Sequence, residues 1–267
     1  MVLDEGGVVT DAAHAGFVEA EREHQDAWYR RAIAERFFEH EGFNRLIAWN
    51  LEALGRSVPI TAGMRVLSIG CGLGDYELAL APRVGQVIAF DLSEVAVEEA
   101  RRRSAAAGVG NVEFRRAGTD DITLEPGAFD LVYAMGVLHH LEPPARGRLF
   151  QDVRGWLGRG GWFYARDPDG SSPLRRWFEP ACRRRSQVHS PTEAALMPDV
   201  IVRELIHAGF EPPAVRGTEV IAGPLPWLLR AAPGWLWSGI FGVDRICLAT
   251  PGLRGLASQF SVAARRP

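Results

Sequence analysis

Short, nearly continuous apolar runs recur at Met64–Ile69, Gln86–Asp91, Asn111–Phe114, Phe129–Ala134 and Gly161–Arg166. Segments with helical spacing lie between them, at Tyr76–Pro82, Ser93–Ala107 and Ala145–Leu157. Strands this short and this apolar, alternating with helices, predict a parallel sheet covered on both faces. Upstream, Ala15 to Gly55 predicts two helices. The first is charged and carries the aromatic pair Trp28-Tyr29 midway; the second carries Phe43, Leu46, Ile47, Trp49, Leu51 and Leu54. Gly55 predicts its C-cap and Pro59 the stop. After Arg166 the alternation breaks. Asp167 to Val188 is rich in Pro, Ser and Arg and reads as an insertion. Ser190-Pro191-Thr192-Glu193 predicts a helix start, with Ser as N-cap and Glu closing a capping box, and Gly209 ends that helix after His207. Val215–Ile221 and Gln259–Ala264 read as late strands, and Pro224–Val243 is rich in Trp and Leu. The expected division is a helical cap over residues 1–58 and an α/β body over 59–267, with an insertion at 168–189 and the apolar segment at 224–243.

Composition narrows the chemistry. All 30 basic side chains are arginine, and none is lysine. Imine-forming catalysis, a lysine P-loop and protein-kinase chemistry are excluded on that count. A net charge of −3 offers no global field for nucleic acid. The three cysteines, Cys71, Cys182 and Cys247, are far apart and odd in number. They predict a reducing, cytoplasmic setting, with neither a disulfide framework nor a metal site. The acidic N-terminus does not read as a signal peptide. Pro224–Val243 is broken by Pro226, Pro233, Gly234 and Arg230, so no integral membrane span is expected.

The first strand runs into Gly70-Cys71-Gly72-Leu73-Gly74-Asp75. Glycines at a strand-to-helix turn let a ligand approach the backbone. The third glycine of a dinucleotide fingerprint would fall on Asp75, and a carboxylate opposes a pyrophosphate, so the pattern favours a nucleoside without phosphates. Asp91 ends the second strand, where an acidic residue accepts from ribose hydroxyls. Gly118-Thr119-Asp120-Asp121 follows the third strand, and Ala134-Met135-Gly136 with His139-His140 follows the fourth.

The segments VLSIGCGLGD, FDLSEVAVEEAR, GTDDITL, FDLVYAMGVLHHL and GWLGRGGWFYARDP resemble, in order, the successive motifs of class I S-adenosylmethionine-dependent methyltransferases. The likeness spans Met64 to Asp167 and points to the small-molecule branch that includes quinone-biosynthesis and natural-product enzymes. It implies a Rossmann-like seven-stranded sheet, mostly parallel with an antiparallel last strand, helices on both faces and an N-terminal helical cap. It implies S-adenosylmethionine as donor and S-adenosylhomocysteine as product. Gly70, Cys71 and Gly72 would line the methionine and ribose, Asp91 would bind the ribose hydroxyls, and Leu92 would flank adenine. Asp120 would meet the adenine amino group, with Thr119 and Asp121 as register alternatives. Ala134 and Met135 would lie near the sulfonium. Ser68 stands where the family usually has Asp, so a contact to the methionine ammonium through that position is weakened or rerouted.

Methyl transfer needs alignment and, for a hydroxyl acceptor, a base. His139 is the candidate base and Asp167 its orienter; the alternative is that the His-His pair caps and packs the following helix. The arginines of the insertion (Arg175, Arg176, Arg183, Arg184, Arg185), with His189, either grip an anionic acceptor or form a solvated face. Trp227 and its neighbours suit an apolar acceptor pocket with Trp28 and Tyr29 as lid, a homodimer or membrane contact, or plain core packing. The expected activity is methylation of a small-molecule metabolite, on oxygen before carbon. A donor-binding partner without activity is the alternative, and nucleic acid is not the expected acceptor.

Overall fold

The computed structural model describes residues 11–186, 193 and 196–267. Within them, seven strands form one sheet: β1 (Arg65–Ile69), β2 (Gln86–Asp91), β3 (Val112–Arg116), β4 (Phe129–Met135), β5 (Leu157–Pro168), β6 (Ala214–Glu219) and β7 (Gln259–Arg265). Their order is β3-β2-β1-β4-β5-β7-β6. Neighbours among β1 to β5 pair in parallel, while β7 is antiparallel to both β5 and β6. The chain leaves β1 towards β2 on one side and later enters β4 on the other. That reversal makes the carboxyl ends of β1 and β4 a topological switch point, where open α/β sheets bind ligands.

The helices are α1 (Asp11–Ala34), α2 (Glu41–Ser57), α3 (Asp75–Leu80), α4 (Glu94–Ala106), α5 (Pro143–Trp156), α6 (Pro173–Ser186), α7 (Pro198–His207), α8 (Leu225–Leu228) and α9 (Gly234–Ala249). Successive strand side chains point to opposite faces, which explains why both faces are apolar. Leu67, Ile69 and Val132 pack against Phe150 and Val153 of α5 and Ile201 and Leu205 of α7. Val66, Val87 and Leu131 pack against Leu54 of α2, Leu80 of α3 and Val97 of α4. A third cluster joins Phe43, Leu46 and Trp49 of α2 to Trp237, Ile240 and Phe241 of α9.

Two local expectations need correction. Gly55 does not cap α2. The helix continues to Ser57, with the Val58 N–H bonded to the Leu54 carbonyl at 2.8 Å, and stops because Pro59 forces Val58 into extended backbone. The helix expected from Ser190 begins at Pro198. Ser190, Pro191 and Thr192 lie outside the described residues, Glu193 is not helical, and Leu196 pairs with Asp169 beyond β5. Met197-Pro198 supplies a second proline-led start, and the tether at Leu196 selects it. Within the insertion after β5, Pro173–Ser186 is helical.

The apolar segment forms α8 and α9, and α9 also organises the loop before it. The buried Asp244 carboxylate accepts N–H bonds from Val220 (2.8 Å), Ile221 (2.9 Å) and Ala222 (3.1 Å). Asp244→Ala is expected to leave these donors unpaired and cost about 3 kcal/mol, read as a lower melting temperature. Among the described residues, no helix is long and apolar enough to cross a membrane.

Candidate active site

At the end of β1 the chain turns through Gly70 and Gly72 at φ of 72° and 51°. A side chain is excluded at both. A Cβ on Gly70 would sit 2.3 Å from Val137 Cγ2, and one on Gly72 would sit 2.8 Å from the Tyr29 hydroxyl. The Gly72 N–H donates to Asp91 Oδ2 at 2.7 Å, and the Ser93 N–H donates to Asp91 Oδ1 at 2.9 Å. Burial pushes the Asp91 carboxyl up, against the opposing pull of these two donors. Each carboxylate oxygen keeps a lone pair for ribose hydroxyls. Leu92 lies on the same side, with its Cδ1 3.5 Å from where a Cβ on Gly118 would stand.

The Gly118 loop is already engaged. Asp120 lies 2.7 Å from His14 of α1 and 3.5 Å from Arg148, and does not line the cavity. Asp121 accepts from the Gly118 N–H at 3.2 Å, so it caps its own turn, which begins at Thr119. Hydrogen bonding to Asp120 pushes His14 upward, outweighing burial.

Ser68 lies beneath the turn, outside the cavity lining. Its hydroxyl donates to Glu77 Oε1 at 2.6 Å, as does the Tyr133 hydroxyl at 2.6 Å. The carboxylate absent from position 68 is therefore supplied by α3. Burial pushes Glu77 up to about 7, with the two hydroxyls opposing. The folded state thus holds this proton more tightly than the unfolded chain. The penalty for ionising Glu77 is absent near pH 4.5, grows as pH rises, and is complete above about 7, at about 3 kcal/mol. Glu77→Gln is expected to gain on the wild type in melting temperature across that window, because a neutral amide carries no such penalty. Parallel melting curves of the two across the range would contradict it.

Above the turn lies a cavity of about 300 Å³. Gly70, Cys71, Gly72, Leu73 and Asp75 line one arm. Trp28, Phe38, Phe43, Leu46, Pro224 and Trp227 line the other. Met135, Gly136, His139 and His140 stand where the arms meet, and Ala134 is buried behind Met135. Helix α1 roofs both arms through Gln25, Trp28 and Tyr29. Tyr29 stands over Gly72, on the glycine side, whereas Trp28 packs beside Trp227 with ring centroids 6.0 Å apart. Cys71 is a buried thiol pushed well up by burial and by Asp91 and Glu77, so it is no nucleophile.

His139 follows β4 on a single 3-10 turn, Leu138–His140, and Asp167 comes from the end of β5. His139 Nδ1 is 2.8 Å from Asp167 Oδ1, which also accepts the His139 N–H at 3.3 Å. A buried carboxylate there keeps the ring proton on Nδ1 and leaves the Nε2 lone pair free. Burial, then the neighbouring His140, push His139 downward against Asp167. The cavity's arginines are paired: Arg166 with Glu219 at 2.9 Å, and Arg175 with Glu179 at 3.7 Å. Arg176 and Arg184 are exposed; His189 and the side chains of Arg183 and Arg185 lie outside the described ones.

A glycine cradle with no room for Cβ atoms, a buried carboxylate at the next strand end and an absence of lysine fit a nucleoside donor without phosphates. A methyltransferase-domain family model matches residues 66–161, the stretch that builds this cradle. The chain is a class I S-adenosylmethionine-dependent methyltransferase. The ubiquinone biosynthesis O-methyltransferase of Bordetella bronchiseptica is 28% identical over 197 residues, covering 70% of this chain and 80% of that one. The protein of the same name from Xanthomonas euvesicatoria pv. vesicatoria is 35% identical over 118 residues, 42% of this chain and 48% of that one. Among solved structures, a S-adenosylmethionine-dependent methyltransferase from Mesorhizobium loti superposes with a TM-score of 0.56 at 23% identity, covering 82% and 98% of the two chains. Phosphoethanolamine N-methyltransferase 2 of Haemonchus contortus, bound to S-adenosylhomocysteine, gives 0.58 at 21% identity, covering 82% of this chain and 52% of that one.

Of the expected site residues, the methyltransferase brings Trp28, Tyr29, Gly70, Cys71, Gly72, Met135, His139 and Trp227 to one cavity. Asp91 and Asp167 stand directly behind it, while Ser68 and Asp120 are taken by Glu77 and His14. Sequence reasoning missed Glu77, Glu21 and the pair Arg166–Glu219. Glu77 left a trace: in the short helix Asp75–Leu80 it is an acidic residue on the buried side with Leu80.

Proposed function

We propose that the methyltransferase methylates an oxygen of a small, mostly apolar and uncharged metabolite, with His139 as base and Asp167 as its orienter. The observation that carries this reading is the His139–Asp167 pair at the junction of a glycine-lined arm and an aromatic arm. Bound S-adenosylmethionine supplies a methyl already activated on a sulfonium. The residues then need only align the acceptor and remove its proton. Trp28, Phe38, Phe43 and Trp227 offer aromatic faces for the acceptor body. Its hydroxyl proton passes to His139 Nε2 as the oxygen takes the methyl, and the C–S bonding pair returns to sulfur. Gly70, Cys71 and Gly72 would cradle the donor, Asp91 would hold its ribose, and Leu92 would edge its adenine. The pairing of Arg166 and Arg175 supports an uncharged acceptor over an anionic one. The relatives' O-methyltransferase names support oxygen over carbon.

In this reading the described residues up to 58 form the cap, those from 59 onward form the body, and the enzyme works in the cytoplasm. A homodimer would form on the exposed apolar side of α9, at Trp235, Val243 and Ile246. The test is turnover with methyl-labelled donor on a panel of phenols, catechols and carbon nucleophiles. An O-methyl signal in the product supports the reading, and C-methyl product alone sinks it.

A further inference from the structure

Two imidazoles sit side by side at the junction, with ring centroids 4.1 Å apart. Rings that close share their titration, since a proton on one opposes a proton on the other. Each has its own carboxylate. Asp167, for His139, belongs to the sheet and does not move with the roof. Glu21, for His140, belongs to α1; it is buried, and its Oε1 lies 3.0 Å from His140 Nδ1. Buried glutamates are uncommon and call for a partner. The same helix is fastened across the donor arm. Asp26 accepts from the Ser93 hydroxyl, His14 pairs with Asp120, and Tyr29 stands over Gly72.

We propose that Glu21 is a positioning residue that keeps the shared positive charge on His140, leaving His139 free to take the acceptor's proton while α1 is closed. The proposal rests on the reading of His139 as base. The groups facing His140 are Glu21 from α1, Asp167 from β5, Asp91 from β2, Glu193 and His139 itself. Burial pushes His140 downward, and Glu21, by contact and by charge, with Glu193 and Asp167 adding to it, outweighs burial and raises it. Without Glu21, the first proton entering the pair goes to His139, which still has Asp167. The base is then lost at a higher pH. Closing the roof over the ligands and readying the base become one event.

The experiment is the pH profile of kcat, at saturating donor and acceptor, for wild type, Glu21→Gln, His140→Gln and the double variant. Each profile is read against its own high-pH plateau. The acid limb is expected to move up by about one pH unit in either single variant. The double variant should move no further than the singles, because both changes remove one interaction. Glu21→Asp should restore part of the shift. An unmoved limb in Glu21→Gln, or shifts that add in the double variant, overturns the proposal. If Glu21→Gln fails to fold, His140→Gln decides alone, and an unmoved limb there has the same force. His139→Asn separates the two ideas: undiminished turnover defeats the base itself, whereas lost turnover with an unmoved Glu21→Gln limb defeats only the role of Glu21. Turnover abolished by a chelator and restored by a divalent cation overturns both. It would assign to an ion the ligand atoms of His139, His140 and Glu193, which lie within 4.8 Å of one another.

Discussion

His139→Asn is expected to lower kcat by about a hundredfold or more, while donor affinity stays within about twofold. A positioned base contributes roughly 10²–10⁴-fold to a proton transfer, and asparagine keeps the polarity of the site without the basic nitrogen. His139 lines the junction of the arms and not the glycine turn, so the loss should fall on turnover. The Asp167 contact adds a second reading of the same pair. Asp167 holds the ring through Nδ1 and steadies the charge that forms on it, so Asp167→Asn should lower kcat in the same direction. Single-turnover rates with donor prebound, alongside calorimetry of donor binding, make the measurement. Unchanged turnover at saturating acceptor in His139→Asn would remove the base from the mechanism.

Asp91→Ala is expected to weaken donor binding by at least tenfold. Its carboxylate fastens two loops at once, through the Gly72 and Ser93 N–H groups, and a hydrogen bond to a charged group is worth about 1.5–3 kcal/mol. Alanine removes the acceptor for the ribose and also frees the turn that must lie against the donor. Asp91→Asn keeps part of the shape and none of the charge, so its affinity should fall between the two. Calorimetry with S-adenosylmethionine and S-adenosylhomocysteine reads both. Full donor affinity in Asp91→Ala would mean that the donor lies elsewhere.

The strands were legible because both faces of the sheet are covered, which leaves runs of apolar residues that no surface segment shares. Asp91, Met135 and His139 could be found because strand ends in such a sheet point at one crevice. The rest was hidden for specific reasons. Ser68 and Glu77 exchange the roles of a strand residue and a helix residue, and only the packing of α3 on β1 and β4 brings them together. Ser190-Pro191 and Met197-Pro198 are both plausible helix starts, and the bridge from Leu196 to Asp169 decides between them. Glu21 looks like one more solvated charge in a charged helix, because nothing along the chain says that α1 lies over the carboxyl ends of the strands. Asp120 was expected to face the ligand, yet an imidazole from that same helix holds it.

One helix roofs both arms of the cavity, so donor and acceptor share a single door. Lifting that door breaks the contacts of His14, Glu21 and Asp26 together. Opening of α1 is therefore expected to admit acceptor and release spent donor together, as an event separate from the proton removal at His139 that kcat reads.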